Sequence, residues 1–193
     1  MRTAKAPALV MVVLLTLAGC EKTKAVRGTQ KEPNAMGKLT VTSPAFEAGK
    51  PIPKQQAYKG EGENVSPPLA WSGAPAGTRA YAIICDDPDA PSPKNPRPEP
   101  WVHWVVYNIP ADRASAPQGG DTGGTMGKND FKETSWGGPM PPPGSGTHRY
   151  FFRVYALDAR VDLPAGATKA QLVGAMQSHI LAQGELYGTY ERK

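Results

Sequence analysis

Prolines and glycines cut this chain into pieces suited to strands rather than to long helices. The 193 residues hold 21 of each. Proline removes a backbone donor and fixes φ, and glycine favours turns, so the two together punctuate regular structure. Between their clusters lie short apolar or alternating runs at Lys38–Val41, Arg79–Cys85, Trp101–Ile109 and His148–Leu157. Runs of this kind predict a mostly β chain, a two-sheet β-sandwich rather than alternating β and α units. One segment differs. Thr168-Lys169-Ala170-Gln171 has the spacing of a capping box, and Leu172, Val173, Met176 and Ile180 then recur at helical spacing before Gly184, which predicts a C-terminal α-helix. Two long Pro-rich loops, Asp87–Pro100 and Gly137–Gly146, complete the pattern. Loops of that length in a compact domain are functional or disordered. Their prolines restrict the backbone in advance, which favours order.

The first residues carry Arg2 and Lys5 and no acid, followed by an apolar run from Ala8 to Ala18, then Gly19 and Cys20. A basic start, a short apolar core and small residues before the cut are the layout of a secretory signal. The run is too short to span a bilayer as a helix. Leu17-Ala18-Gly19-Cys20 resembles a bacterial lipobox, which implies removal of residues 1–19 and lipidation of Cys20; a plain secreted protein is the alternative. Glu21 to Gly37 is polar and lacks aromatics. Residues 20–37 are therefore expected to form a flexible tether with an r.m.s. reach of roughly 20–25 Å, and residues 38–193 a single folded domain. The implied location is the bacterial cell envelope, outside the cytoplasm, on the inner or the outer membrane.

Only Cys20 and Cys85 are present, so lipidation of the first leaves the second without a partner. Cys85 closes the apolar run Ala80–Cys85, where a buried, inert thiol is expected. Removing residues 1–19 takes away two bases and no acid and lowers the net charge from +5 to +3. The remaining charges are scattered and form no basic stripe interleaved with aromatics, which argues against nucleic acid as a partner.

Three segments could carry chemistry. Asp86-Asp87-Pro88-Asp89-Ala90-Pro91 places carboxylates at the mouth of a strand, where they can orient a histidine or form a plain acidic turn. In Trp101–Pro110, alternation puts Trp101, His103, Val105 and Tyr107 on one face, either as core or as a pocket wall. Gly138–Tyr150 runs a Pro/Gly loop into a strand that starts His148-Arg149-Tyr150. There His148 and Tyr150 share one face, and Arg149 points to the other, either to bind an anion or to pair with a surface acid.

In this order, the three segments resemble the phosphatidylethanolamine-binding protein family, in particular its bacterial Raf-kinase-inhibitor-like branch. Asn64, Ser66-Pro67-Pro68-Leu69 and Trp71 extend the likeness, as do Gly127, Asn129-Asp130-Phe131, and Gly184, Leu186, Gly188 and Tyr190. The resemblance runs from about Leu39 to Arg192. It implies two β-sheets and a small pocket for phosphate, acetate or a phosphoryl headgroup. The pocket positions it implies are Asp87, Asp89, His103, Pro141, Pro142, His148 and Tyr150, with Trp101 as a wall and Tyr187 at the border. Neutral or protonated histidines are then expected to donate to the anion oxygens, with Asp87 fixing the imidazole tautomer or shifting its pKa upward. Two departures concern the presumed rim: Ser92–Pro100 is long and Pro-rich, and Trp136 replaces a commoner Tyr.

The leading expectation is a non-catalytic binding module for a small anion or phosphorylated headgroup, with no cofactor and no metal. A His/Asp metalloenzyme is a second class, since two histidines and a carboxylate form a known ligand set. A protease or kinase inhibitor is a third, with Ser92–Pro100 as the candidate loop; an extracytoplasmic address disfavours a kinase. A homodimer stays open. On the lipobox reading, Cys20→Ser is expected to abolish incorporation of labelled palmitate, and label retained by that variant would return the chain to the plain secreted class.

Overall fold

The computed structural model describes residues 36–193. The expected signal peptide, the lipidation of Cys20 and the tether up to residue 35 lie outside the described residues. Nine strands form two sheets. The larger sheet has six: β1 (Gly37–Lys38), β4 (Ala80–Asp87), β5 (Trp101–Pro110), β7 (Thr125–Met126), β8 (His148–Leu157) and β9 (Ile180–Tyr190), in the order β1-β9-β8-β4-β5-β7. The smaller holds β2 (Thr40–Thr42), β3 (Leu69–Ser72) and β6 (Ser115–Ala116), in the order β2-β3-β6. All pairings are antiparallel except β1 with β9, where Gly37 stands beside Ala182.

Every residue of β4 is buried, which explains why this strand reads as a continuous apolar run and not as an alternation. Its Ile83 and Cys85 face the small sheet and pack in one cluster with Leu69, Trp71, Trp104 and Phe152. Ala82 and Ile84 face the other way, into a second cluster with Val105, Tyr107, Leu172 and Met176. The large sheet is thus covered on one side by the small sheet and on the other by the one α-helix among the described residues, α1 (Lys169–Met176). Cys85 is fully buried and free, and burial pushes its thiol well above the ordinary range. Among the described residues, no helix is long and apolar enough to cross a membrane.

Three expectations change. The capping box forms as the sequence predicts, with Thr168 accepting from the Gln171 N–H and Gln171 accepting from the Thr168 N–H. The helix, however, ends at Met176 and is not the last element, because Ile180 opens β9. Gly184 is no helix stop; it faces the core, where a Cβ would meet the Leu39 carbonyl at 2.4 Å. The helical face is also narrower than expected: Leu172 and Met176 are buried, and Val173 is 41% exposed. In β5, Cys85 pairs with Trp104 and Asp86 with Val102, so His103 is an extra residue in a bulge. Past such a bulge the faces exchange. Trp101 and His103 therefore share a face with Trp104, while Val105 and Tyr107 lie under the helix.

This packing makes a sharp contrast testable by chemical denaturation. Leu172→Ala is expected to lose about 2–5 kcal/mol of stability, and its neighbour Val173→Ala no more than about 0.5 kcal/mol; equal losses would contradict the placement of α1.

Candidate functional site

Because β4 runs antiparallel to both neighbours, its last residues lie beside the first residues of β5 and β8. Asp87 pairs with Trp101, and Asp86 with Phe151. Three distant segments of sequence thereby meet at one end of the large sheet. They line a cavity of about 340 Å³, at the lower end of the range for small-molecule sites. Asp87, Trp101, His103, Pro141, Pro142, His148 and Tyr150 all stand in its wall, joined by Arg97 and Phe131.

Asp87 is the anchor. One carboxylate oxygen accepts from the Asp89 backbone N–H at 2.7 Å, and the other from His148 Nδ1 at 2.7 Å. Because the carboxylate accepts, the imidazole must carry its proton on Nδ1. His148 Nε2 then lies 3.0 Å from Ser145 Oγ. Both histidine nitrogens are engaged, and the ring is fully buried.

His103 is held differently. Its Nδ1 donates to the Gly137 carbonyl at 2.5 Å, and the Gly137 N–H returns a bond to the His103 carbonyl at 3.0 Å. Nδ1 is thus the protonated nitrogen, and Nε2 of the neutral ring is an acceptor. Burial pushes the pKa of His103 down, opposed by the Gly137 carbonyl and by Asp87. Tyr150 packs edge-on against this ring, with centroids 5.0 Å apart. Its phenol is driven upward by burial and stays protonated. Two buried donors in the wall, Tyr150 Oη–H and Trp101 Nε1–H, have no hydrogen-bond partner among the described residues.

The loop that carries Gly137 is pinned by two asparagines. Asn64 Oδ1 accepts from the Gly138 N–H at 2.8 Å, and its Nδ2 donates to the Trp136 carbonyl at 3.1 Å. Asn129 Nδ2 donates to the Ser135 carbonyl at 3.0 Å. Gly138 has no room for a side chain, since a Cβ would meet the Gln56 carbonyl oxygen at 2.0 Å. Sequence reasoning quoted Asn64 and Asn129 only as parts of a pattern and gave Gly137 and Ser145 no role. An Asn at positive φ, as at Asn64 (56°), is the signal that could have marked the first.

Two expected pocket residues stand elsewhere. Asp89 is turned away from the cavity and held by Arg149, through the backbone N–H at 2.9 Å and through Nε and Nη2 at 2.9 and 2.8 Å. The Arg149 guanidinium keeps the Asp89 carboxyl below its usual range. The surface acid expected for Arg149 is thus one of the presumed ligands. Tyr187 lies on the outer face of β9, stacked on Phe151 at 5.4 Å, because it alternates with Leu186 and Gly188, which face the core. Trp136 is also no rim residue. It is buried between the sheets, edge-on to Trp104, with Nε1 donating to the Gln56 carbonyl at 3.0 Å. Among the described residues, no three His, Cys, Asp or Glu side chains are grouped to hold a metal ion.

Sheet order and cavity together define a two-sheet protein with a cavity at one end of the larger sheet. The family model for phosphatidylethanolamine-binding proteins matches residues 42–191, and the chain belongs to that family. A homolog of these proteins from Chlamydia trachomatis superposes with a TM-score of 0.73 at 37% identity, over 81% of this chain and 99% of that one. For YbcL of Escherichia coli the TM-score is 0.72 at 33% identity, over 82% and 100% of the two chains. A UPF0098 protein of Methanothermobacter thermautotrophicus is 45% identical over 141 residues, 70% of this chain and 88% of its own length.

The buried, neutral His103 carries a pH signature. Its folded pKa lies below the ordinary value of 6.5, so below that pH the unfolded chain takes up a proton that the native ring does not. Stability is therefore unaffected by this group at higher pH and falls as pH drops through 6.5 towards the folded pKa. Between pH 7.5 and 5.5, unfolding free energy is expected to drop less in His103→Gln than in the wild type, as followed by denaturant titration at each pH.

Proposed function

We propose that the cavity binds a small anionic group, a phosphate, carboxylate or phosphoryl headgroup, and does no chemistry on it. The observation that carries this reading is Tyr150: a residue of the cavity wall whose buried hydroxyl has no acceptor among the described residues. An unmet buried donor costs about 1–3 kcal/mol, and an anion oxygen in the cavity relieves that cost. Trp101 Nε1–H is a second donor of the same kind. Pro141, Pro142, Pro91 and Phe131 surround them with apolar surface, which excludes water and strengthens each bond. The family description, phosphatidylethanolamine-binding, names a ligand with such a headgroup.

The chain Ser145–His148–Asp87 has the partners of a hydrolytic triad, yet several features speak for binding alone. Ser145 is not part of the cavity wall. The N–H groups of Gly144 and Ser145 are given to the carbonyls of Arg192 and Pro142, so neither is free to stabilise an oxyanion beside the hydroxyl. In this reading His148 is a polarised wall group locked by Asp87. The domain acts outside the cytoplasm on a lipid anchor, an assignment that rests on Leu17–Cys20.

Calorimetry of the full chain against inorganic phosphate, phosphoethanolamine and acetate tests the reading. Binding to at least one is expected, weakened about tenfold or more by Tyr150→Phe, with no loss of stability because the variant removes an unpaired buried hydroxyl. No heat with any of the three, or unchanged affinity in Tyr150→Phe, would overturn it.

A further inference from the structure

An anion cavity needs positive charge, and the wall described so far supplies none. His103 is buried and neutral, with its one proton given to the Gly137 carbonyl. The buried Asp87–His148 pair is at most electrically neutral, since any charge on the imidazole is matched by the carboxylate 2.7 Å away. Arg149, the second residue of β8, is turned outward onto Asp89. Lys128, Lys132 and Lys169 line a neighbouring depression, which shares Arg97 with the cavity but none of these lysines. Among the described residues of the cavity wall, the one permanent cation is Arg97.

Arg97 lies in the Pro-rich segment Ser92–Pro100, which the sequence marks as a departure from its family pattern. That segment is ordered by its own backbone: the Asn95 N–H donates to the Ser92 carbonyl at 3.0 Å, and the Arg97 N–H to the Ala90 carbonyl at 2.7 Å. The second bond ties Arg97 to the Ala90–Pro91 wall of the cavity. Its guanidinium lies 5.1 Å from the ring centroid of Trp101, another wall residue. The side chain is 42% exposed and has only a loose ion pair, 3.8 Å from Asp130 Oδ2. That oxygen already accepts from the Val102 N–H at 3.0 Å. An arginine with a poorly matched carboxylate, resting on an aromatic face at the edge of a cavity whose wall holds no other permanent cation, has donors to spare for a ligand.

We propose that Arg97 is the specificity-determining residue of this cavity, selecting a doubly charged phosphomonoester over a singly charged carboxylate. The proposal rests on the anion-binding reading above. Tyr150 and Trp101 offer hydrogen bonds that either ligand can accept. A second negative charge requires a second compensating group, and the planar fork of Arg97 matches two phosphoryl oxygens at once. On binding, Arg97 exchanges its loose contact with Asp130 for the ligand while its backbone stays tied to Ala90.

Calorimetry of the full chain with phenyl phosphate and benzoate at pH 8 separates these contributions, the phenyl group suiting the apolar wall of both complexes alike. The wild type is expected to favour phenyl phosphate. Arg97→Gln should lose about tenfold or more for phenyl phosphate and less than about threefold for benzoate. Arg97→Lys should fall between, keeping the charge without the fork. At pH 5, below the second phosphate ionisation near about 6, the preference should shrink. Equal losses for both ligands in Arg97→Gln, or no loss for either, would overturn the role of Arg97 while leaving the cavity standing. A wild type that binds neither ligand would take down both readings together.

Discussion

Strand β4 is buried on both faces, and the rest of the molecule follows from covering it. One face requires the small sheet and the other requires α1. The same two-sided burial leaves no polar outlet along the strand until its end. There the chain changes from Ile83-Ile84-Cys85 to Asp86-Asp87, and the two acids leave on opposite faces. Asp86 enters the helix side, where Arg153 and Lys169 neutralise it at 2.8 and 2.5 Å. Asp87 enters the cavity side and meets a histidine instead. Adjacent carboxylates of one strand thereby serve two purposes, one closing a structural ion network and the other opening a site.

The cavity is built by restraint more than by charge. Each group that could be promiscuous is committed in advance: His148 to Asp87 and Ser145, His103 to Gly137, Arg149 to Asp89. Preorganised donors need no reorientation when a ligand arrives, so less binding energy is lost to ordering. Asn64 and Asn129 extend the restraint one layer outward, because they fix the loop whose carbonyl fixes the histidine.

Much of this was legible in the sequence where a feature is local and long. β4, β5 and β8 were readable to within two residues at each end because apolar runs of seven to ten residues between Pro and Gly clusters have few alternatives. The start of α1 was readable because a capping box is a contact between neighbours. The rest depends on pairing, which a single strand does not announce. The bulge at His103 exists only relative to Cys85 and Asp86, so simple alternation put Val105 and Tyr107 on the wrong face. Gly184 reads equally as a helix stop or as a strand residue until Leu39 is seen to crowd it. Strands of two to four residues, such as β1, β6 and β7, have too little pattern to detect. Asp87 and Asp89 are indistinguishable by type, and only the reach of Arg149 separates them. Arg97 was hidden inside a segment that drew notice for its prolines.

The parallel pairing of β1 with β9 gives the fold a direction. Gly37 meets Ala182, which in turn pairs with Ala156, while Tyr150 of the cavity wall stands six residues away along β8. At the rise of an antiparallel strand that is about 20 Å. The C-terminal residues sit at the other extreme, where Arg192 donates to the carbonyl of Pro141 in the cavity wall. Gly37, the first residue of the large sheet, therefore stands remote from the cavity.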